Sequence, residues 1–292
     1  MDAGFDIEEF VRRILAEDLG TGGDVTSAAT IGATARLAAE LTCREPIVVA
    51  GLELAAAFFR ALDPDVQIEM FAADGEPADE GRVLMRIEGL ARPMLSAERS
   101  ALNMLQHVSG IATLTRRYVD AISGTGAVLL DTRKTIPGLR AVEKYATSMG
   151  GATNHRMRLD DGMLIKDNHV AVAGGVGAAV RAARGAATGL EVQVEVDRLE
   201  QIAEALEAGA DRLLLDNMDV ATLRRAVELV ARRVPLEASG GVDLDTIRGI
   251  AETGVDFISV GRITQSAPAV DIGMDYALPG SFAPRNDARA PI

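Results

Sequence analysis

Arg133, Lys134, His155, Arg156 and Lys166 bring five basic side chains into one stretch of a chain that is acidic overall, with a net charge of -13. Lysine is scarce: of 30 lysines and arginines only Lys134, Lys144 and Lys166 are lysine, and all three fall within this stretch. Where arginine serves everywhere else, a retained lysine points to a compact ammonium charge that a planar guanidinium does not reproduce. A cationic knot inside an acidic protein predicts a pocket for a small, highly charged anion. Two carboxylates, Glu195 and Asp216, and two glycine-bearing turns, Ser239-Gly240-Gly241 and Gly261, supply the complementary chemistry. Paired acids can hold sugar hydroxyls, a Mg²⁺ ion or both, because Mg²⁺ takes one or two carboxylates and otherwise binds phosphate oxygens and water. Either acid could instead be ion-paired with Lys166, and the two roles are compatible. Glycines at strand ends let backbone N–H groups approach a phosphate, and their recurrence on successive strands favours this over ordinary tight turns.

Other candidates carry less. Lys144 lies four residues after Arg140 on a predicted helix and is expected to face solvent. His107, in an apolar helix, is expected to be structural. Cys43 has no second cysteine for a disulfide and no metal-site spacing, so it reads as a small core residue on a strand.

These residues need elements to hold them. Apolar spacing predicts a helix from Ile7 to Ala16, broken at Asp24-Val25-Thr26-Ser27. Strands follow at Thr34 to Arg44, Val66 to Ala72 and Arg82 to Leu90, with a helix from Leu52 to Leu62. Ser96 to Val108 and Ala112 to Ile122 are helical and form a hinge into the more regular part of the chain. From Val128 onward a strand-then-helix unit repeats six times, with apolar runs at Val128, Met163, Val192, Leu213, Leu236 and Phe257. Polar or glycine residues end every run: Asp131 to Lys134, Lys166, Glu195, Asp216, Ser239 to Gly241, and Gly261-Arg262. Strand ends of this kind converge on one face of a β/α barrel, here shorter than the usual eight units. The helix after Ser239-Gly240-Gly241 is expected at Leu244 to Thr253, and Pro279 to Ile292 as a loose tail. Val170 to Val180 imitates a dinucleotide-binding glycine run, but Val180 stands where glycine or alanine is needed, and the barrel rhythm competes with it.

Composition excludes whole classes of function. A chain of 292 residues with 48% hydrophobic content holds one large α/β domain or two smaller ones. The acidic field disfavours nonspecific nucleic-acid or anionic-membrane binding. The acidic, amphipathic N-terminus lacks a signal-peptide core and nothing reaches transmembrane length, which predicts a cytoplasmic protein.

The ordered motifs Asp131-Thr132-Arg133-Lys134-Thr135-Ile136-Pro137-Gly138-Leu139-Arg140, Asn154-His155-Arg156 and Leu164-Ile165-Lys166-Asp167-Asn168-His169 resemble those of the quinolinate phosphoribosyltransferases. The likeness runs from Glu17-Asp18-Leu19-Gly20 through Glu98-Arg99 to Val260-Gly261, nearly the whole chain. It implies an α/β protein with an N-terminal α/β sandwich (residues 1–110, with 271–292 packing back on it) and an open six- or seven-stranded α/β barrel (residues 111–270). It implies transfer of phosphoribosyl from 5-phosphoribosyl-1-pyrophosphate (PRPP) to quinolinate with Mg²⁺, giving nicotinate mononucleotide, pyrophosphate and CO₂ for NAD biosynthesis. It also implies a homodimer with shared active sites, with assembly into hexamers left open. By this resemblance Arg133, His155, Arg156 and Lys166 grip quinolinate, with Arg99 supplied by the partner subunit. Lys134 and Lys166 serve the pyrophosphate, Glu195 and Asp216 the ribose and metal, and Ser239, Gly240 and Gly261 the 5′-phosphate. One departure is Ser148, which stands where family members commonly carry arginine. Three alternatives remain: a phosphoribosyltransferase-like protein of molybdenum-transport operons, a nicotinate phosphoribosyltransferase, and a noncatalytic phosphosugar-binding barrel. The Asn154-His155-Arg156 motif disfavours the first, the number of carboxylate-gripping cations the second, and the two pocket acids the third.

Overall fold

Asp6 opens the first helix, its carboxylate accepting the Glu9 N–H, and the computed structural model describes residues 4–277 from there to the C-terminal strand. The expected tail from Pro279 lies outside the described residues. The N-terminal elements are α1 (Ile7–Leu19), α2 (Val25–Thr30), β1 (Arg36–Cys43), β2 (Ile47–Val48), α3 (Leu52–Leu62), β3 (Gln67–Met70), β4 (Pro77–Ala78), β5 (Val83–Leu90) and α4 (Ala91–Ala121). Strand and helix then alternate as β6 (Val128–Leu130), α5 (Arg140–Gly150), β7 (Met163–Ile165), α6 (Asp167–Ala173), α7 (Val176–Gly185), β8 (Val192–Val196), α8 (Glu200–Glu207) and β9 (Arg212–Asp216). The series continues with α9 (Val220–Val230), β10 (Leu236–Ser239), α10 (Ile247–Ala251), β11 (Phe257–Ser259), α11 (Arg262–Gln265) and β12 (Ile272–Ala277).

The described residues divide into two compact units, one of Ile111–Pro268 and the other of residues 4–110 together with residues 269–277. In the second of these an antiparallel sheet has the order β12-β1-β5-β3. Cys43 is a fully buried residue of β1, and its thiol donates to the Asp79 carbonyl at 2.9 Å. Asp24 is the cap of α2 rather than a simple break, accepting the Ser27 N–H at 2.9 Å. The two expected helices are one, because α4 runs unbroken through Ser109 and Gly110. Ser109 is fully buried, and its hydroxyl accepts from the Ala50 N–H and donates to the Ala50 carbonyl, so it is anchored by packing rather than exposed as a joint.

The unit that holds the candidate residues is a six-stranded parallel sheet of order β6-β11-β10-β9-β8-β7. Its two end strands, β6 and β7, follow one another in sequence but do not pair. Leu130 of β6 instead bridges to Thr153, so the barrel stays open at that seam. Side chains alternate across a strand, and the sequence uses both faces. Val192, Val194 and Val196 of β8, Leu213 and Leu215 of β9, and Leu236 and Ala238 of β10 join a core that includes Val180, Ile202, Leu223, Ala226 and Ile247 of the helices. The opposite phase carries Gln193, Glu195, Leu214, Asp216, Glu237 and Ser239. Gln193 of β8 donates to Glu237 of β10 at 2.8 Å across the intervening strand, which places both inside the barrel. Of the Val170 to Val180 glycines, Gly174 and Gly175 lie between α6 and α7 and Gly177 lies within α7, none directly after a strand, so the dinucleotide-binding geometry is not formed.

Candidate active site

A cavity of about 850 Å³ opens at the C-terminal ends of the six strands. Arg133 and Lys134 reach it from beyond β6, Lys166 from β7, Glu195 from β8, Asp216 from β9, Ser239 and Gly240 from β10, and Gly261 from β11. His155 and Arg156 line it as well. Arg99 does not: it is exposed on α4 in the other unit.

Charge is divided within the cavity. On one side, burial and then the neighbouring Arg133 charge both push the Arg156 guanidinium below its ordinary pKa, with Asp161 opposing. Arg133 Nε and His155 Nε2 are buried donors with no hydrogen-bond partner among the described residues. Crowded like charges and unsatisfied donors are costly unless something anionic meets them. His155 Nδ1 accepts the Arg156 N–H at 2.7 Å, so Nε2 carries the proton, and it faces Glu237 Oε2 at 3.4 Å, longer than a formed hydrogen bond. Burial alone would raise the Glu237 carboxyl. The His155, Gln193 and Ser259 side chains outweigh it and hold the group below the usual glutamate range.

The acids form the other side. Lys166 Nζ bonds Glu195 Oε2 at 2.9 Å, so the ion pair considered from sequence is present. The exposed lysine can swing to a ligand, whereas Glu195 is largely buried. Asp216 is oriented by Asn217, whose side-chain amide donates to it at 2.7 Å. Asn217 holds φ 54 and sits so close to Gly240 that a Cβ there would lie 2.2 Å from Asn217 Oδ1. Gly240 is therefore required by both its own φ of 92 and its neighbour. At Gly261 a Cβ would meet Lys134 Cδ at 2.8 Å, so this glycine makes room for the lysine stem. Thr264 fixes the same residue by donating to the Lys134 carbonyl at 2.7 Å.

Two expectations need correction. The helix after Ser239-Gly240-Gly241 begins only at Ile247, because Asp243 draws the Thr246 N–H and hydroxyl into a capping turn. Gly240 and Gly241 thus offer loop N–H groups and not a helix terminus, whereas Gly261 is the N-cap of α11. Lys144 does not face solvent: it is fully buried and bonds Asp131 at 2.5 Å. Burial pushes its ammonium below the usual lysine range, with Asp131 pulling the other way. Sequence reasoning passed over Glu237 and Asn217 and gave no role to Asp167 and Arg262, all of which line the cavity. For Glu237 a signal existed, an acid within the apolar run of β10. His169 spends Nδ1 accepting the Lys166 N–H, and Ser148 spends its hydroxyl on the Tyr145 carbonyl.

Models for the two domains of quinolinate phosphoribosyl transferase match residues 24–109 and 111–275. The chain belongs to this family. A nicotinate-nucleotide pyrophosphorylase [carboxylating] of Mycobacterium leprae is 43% identical over 283 residues, covering 94% of this chain and 99% of the relative. A crystal structure of nicotinate-nucleotide pyrophosphorylase from Ehrlichia chaffeensis superimposes with a TM-score of 0.90 at 38% identity, covering 94% of this chain and all of the other. The enzyme of the same name from Francisella tularensis gives a TM-score of 0.89 at 39% identity, covering 93% of this chain and 96% of that one. As a quinolinate phosphoribosyl transferase, the chain combines an antiparallel-sheet domain with a parallel six-stranded α/β domain. No helix among the described residues is long and apolar enough to cross a membrane.

Proposed function

We infer that the chain is a carboxylating nicotinate-nucleotide pyrophosphorylase, joining quinolinate to PRPP and releasing pyrophosphate and CO₂ to give nicotinate mononucleotide for NAD biosynthesis. One observation carries the assignment of the site: Arg133 and Arg156 crowd positive charge, and Arg133 and His155 hold unpaired donors, at one side of a cavity whose other side holds Glu195 and Asp216. A planar dicarboxylate matches the first group, because guanidinium forks fix carboxylate orientation through paired bonds. A phosphorylated ribose matches the second.

In this reading Arg133, His155, Arg156 and Lys166 hold the quinolinate carboxylates and present its ring nitrogen to ribose C1, with Arg99 arriving from a partner subunit. Lys134 takes the pyrophosphate, and Lys166 leaves Glu195 to share that charge. Glu195 and Asp216 take the ribose hydroxyls, and Ser239, Gly240 and Gly261 the 5′-phosphate. As the C1–oxygen bond breaks, positive charge grows on the ribose beside the two carboxylates and negative charge on the leaving group beside the lysines. Catalysis is then orientation plus preorganised electrostatics. When CO₂ departs, its bonding pair stays on C2 as an in-plane carbanion stabilised by the adjacent pyridinium charge, and a proton then takes the carboxyl's place there. No covalent nucleophile is needed.

Among the described residues no cluster of three or more His, Cys, Asp or Glu forms a closed metal cage. Glu195 and Asp216 fit a more open Mg²⁺ site completed by phosphate oxygens and water, and bound Mg²⁺ would neutralise pyrophosphate charge. We assign the family's homodimer to this chain as well. In support, α6 at the cavity rim has no buried residue, and Val172 is 91% exposed. The division into domains near residues 110 and 270 belongs to the same proposal. The test is quinolinate labelled in its 2-carboxyl group: one labelled CO₂ and one pyrophosphate should appear per nicotinate mononucleotide. Label retained in the nucleotide product would overturn the assignment.

A further inference from the structure

Lys144 and Asp131 form a fully buried ion pair that none of the steps above uses. Each N–H of the ammonium has an acceptor: Asp131 Oδ1 at 2.5 Å, the His155 carbonyl at 2.6 Å and the Arg156 carbonyl at 3.2 Å. The carboxylate is equally complete. Oδ1 also accepts the His155 N–H at 2.8 Å, while Oδ2 accepts the Thr147 hydroxyl at 2.8 Å and the Asn154 amide at 2.6 Å. That amide reaches the Lys144 carbonyl as well, at 2.8 Å. Three pieces of chain meet here: the end of β6, the buried face of α5, and residues 154–156.

Between the Thr153 bridge and Met163 the chain has no helix or strand of its own to set its course. The carbonyls of His155 and Arg156 point to Lys144, and the side chains of the same two residues line the cavity. One face of α5 thus fixes the backbone from which two cavity cations project. The residue before Lys144, Glu143, also buried, accepts the Ile136 N–H at 3.1 Å and so holds the segment that follows Arg133 and Lys134. A buried ion pair is weak evidence for stability, since apolar residues of similar volume often do as well or better. Its retention here is better explained by geometry. A tetrahedral ammonium can serve three acceptors in three directions, whereas an arginine fork is planar and larger.

We propose that Lys144, with Asp131 and Thr147, is a positioning residue: it clamps the His155-Arg156 backbone so that those side chains meet the two carboxylates of the pyridine substrate. This rests on the assignment of His155 and Arg156 to quinolinate. All three lysines then have a task that arginine cannot take over, and the scarcity of lysine is accounted for.

The test compares the full-length wild type with Lys144→Met, Lys144→Arg and Thr147→Val, measuring thermal midpoint, kcat, and KM for quinolinate and PRPP separately. Thr147→Val removes one donor to Asp131 without stranding a charge. Lys144→Met is expected to raise the quinolinate KM about tenfold or more, since small misplacements remote from the reacting atoms are costly. Thr147→Val is expected to raise it about fivefold, as for loss of a hydroxyl that donates to Asp131 and accepts from the Asn154 amide. The PRPP KM should stay near wild type in both, and Lys144→Arg should not restore quinolinate binding. Quinolinate and PRPP constants rising together, or a lowered thermal midpoint with quinolinate KM unchanged, would overturn the clamp. Should Lys144→Met fail to fold, Thr147→Val decides the matter alone. Arg133→Ala separates the two claims: if it leaves quinolinate binding intact, the site assignment fails, and if it abolishes binding while the clamp variants do not, only the clamp fails.

Discussion

Lys134 stands with its stem over Gly261 and its carbonyl held by Thr264, so its ammonium has a defined place at the cavity. Replacing it by alanine should reduce kcat/KM by about 3 kcal/mol of transition-state stabilisation or more, as for loss of a preorganised charge partner. Steady-state kinetics with saturating quinolinate would read this directly. Gly240→Ala should both strain a left-handed backbone, at about 1–2 kcal/mol, and displace Asn217 from Asp216. The expected result is a raised PRPP KM together with a lower denaturation midpoint. The cations around Arg133 and the acids at strand ends were legible from residue type and spacing. Lys144 was not, because helical spacing from Arg140 says nothing of a carboxylate thirteen positions earlier, just past the end of β6. Charged residues are almost never fully buried unless paired, and the pairing is tertiary. Removing one member of that pair, as in Lys144→Met, should lower stability by about 3–5 kcal/mol in urea unfolding, independent of any effect on substrate.

The six parallel strands were legible as elements because each is a short apolar run closed by a polar residue, and period two then placed Glu195, Asp216 and Ser239 on the inner face. Element ends were harder. Ser109-Gly110 looks like a joint, yet it lies inside α4 because Ser109 is tied to Ala50, a contact that local pattern does not contain. The helix expected from Leu244 shrank to α10 because Asp243 competes for the Thr246 N–H. Inside the barrel, Glu237 of β10 joins Gln193 of β8 and faces His155. Its carboxyl lies below the ordinary value of 4.5, so the unfolded chain binds the proton more tightly. Its contribution to stability is present above that value and lost as pH falls through the folded one. Wild type should therefore lose more unfolding free energy between pH 7 and the acid side of that window than Glu237→Gln does. Equal losses in paired denaturation curves would remove Glu237 from the account of acid sensitivity.

For the whole molecule, the negative net charge and the confined cationic cavity agree on a small anion captured locally rather than a polyanion bound along a surface. If Arg99 completes the partner's site, Arg99→Ala and Lys134→Ala should each be nearly inactive alone. Unfolded and refolded together, they should recover about a quarter of wild-type activity, since random pairing leaves one intact site in half of the two-fold symmetric dimers. No recovery would argue for self-contained sites. The central claim is that this cavity is built for a pyridine dicarboxylate, and the most direct measurement offers quinolinate and nicotinate side by side, each with PRPP and Mg²⁺. Nicotinate mononucleotide formed from quinolinate and not from nicotinate is the predicted result; product from nicotinate with none from quinolinate would contradict it.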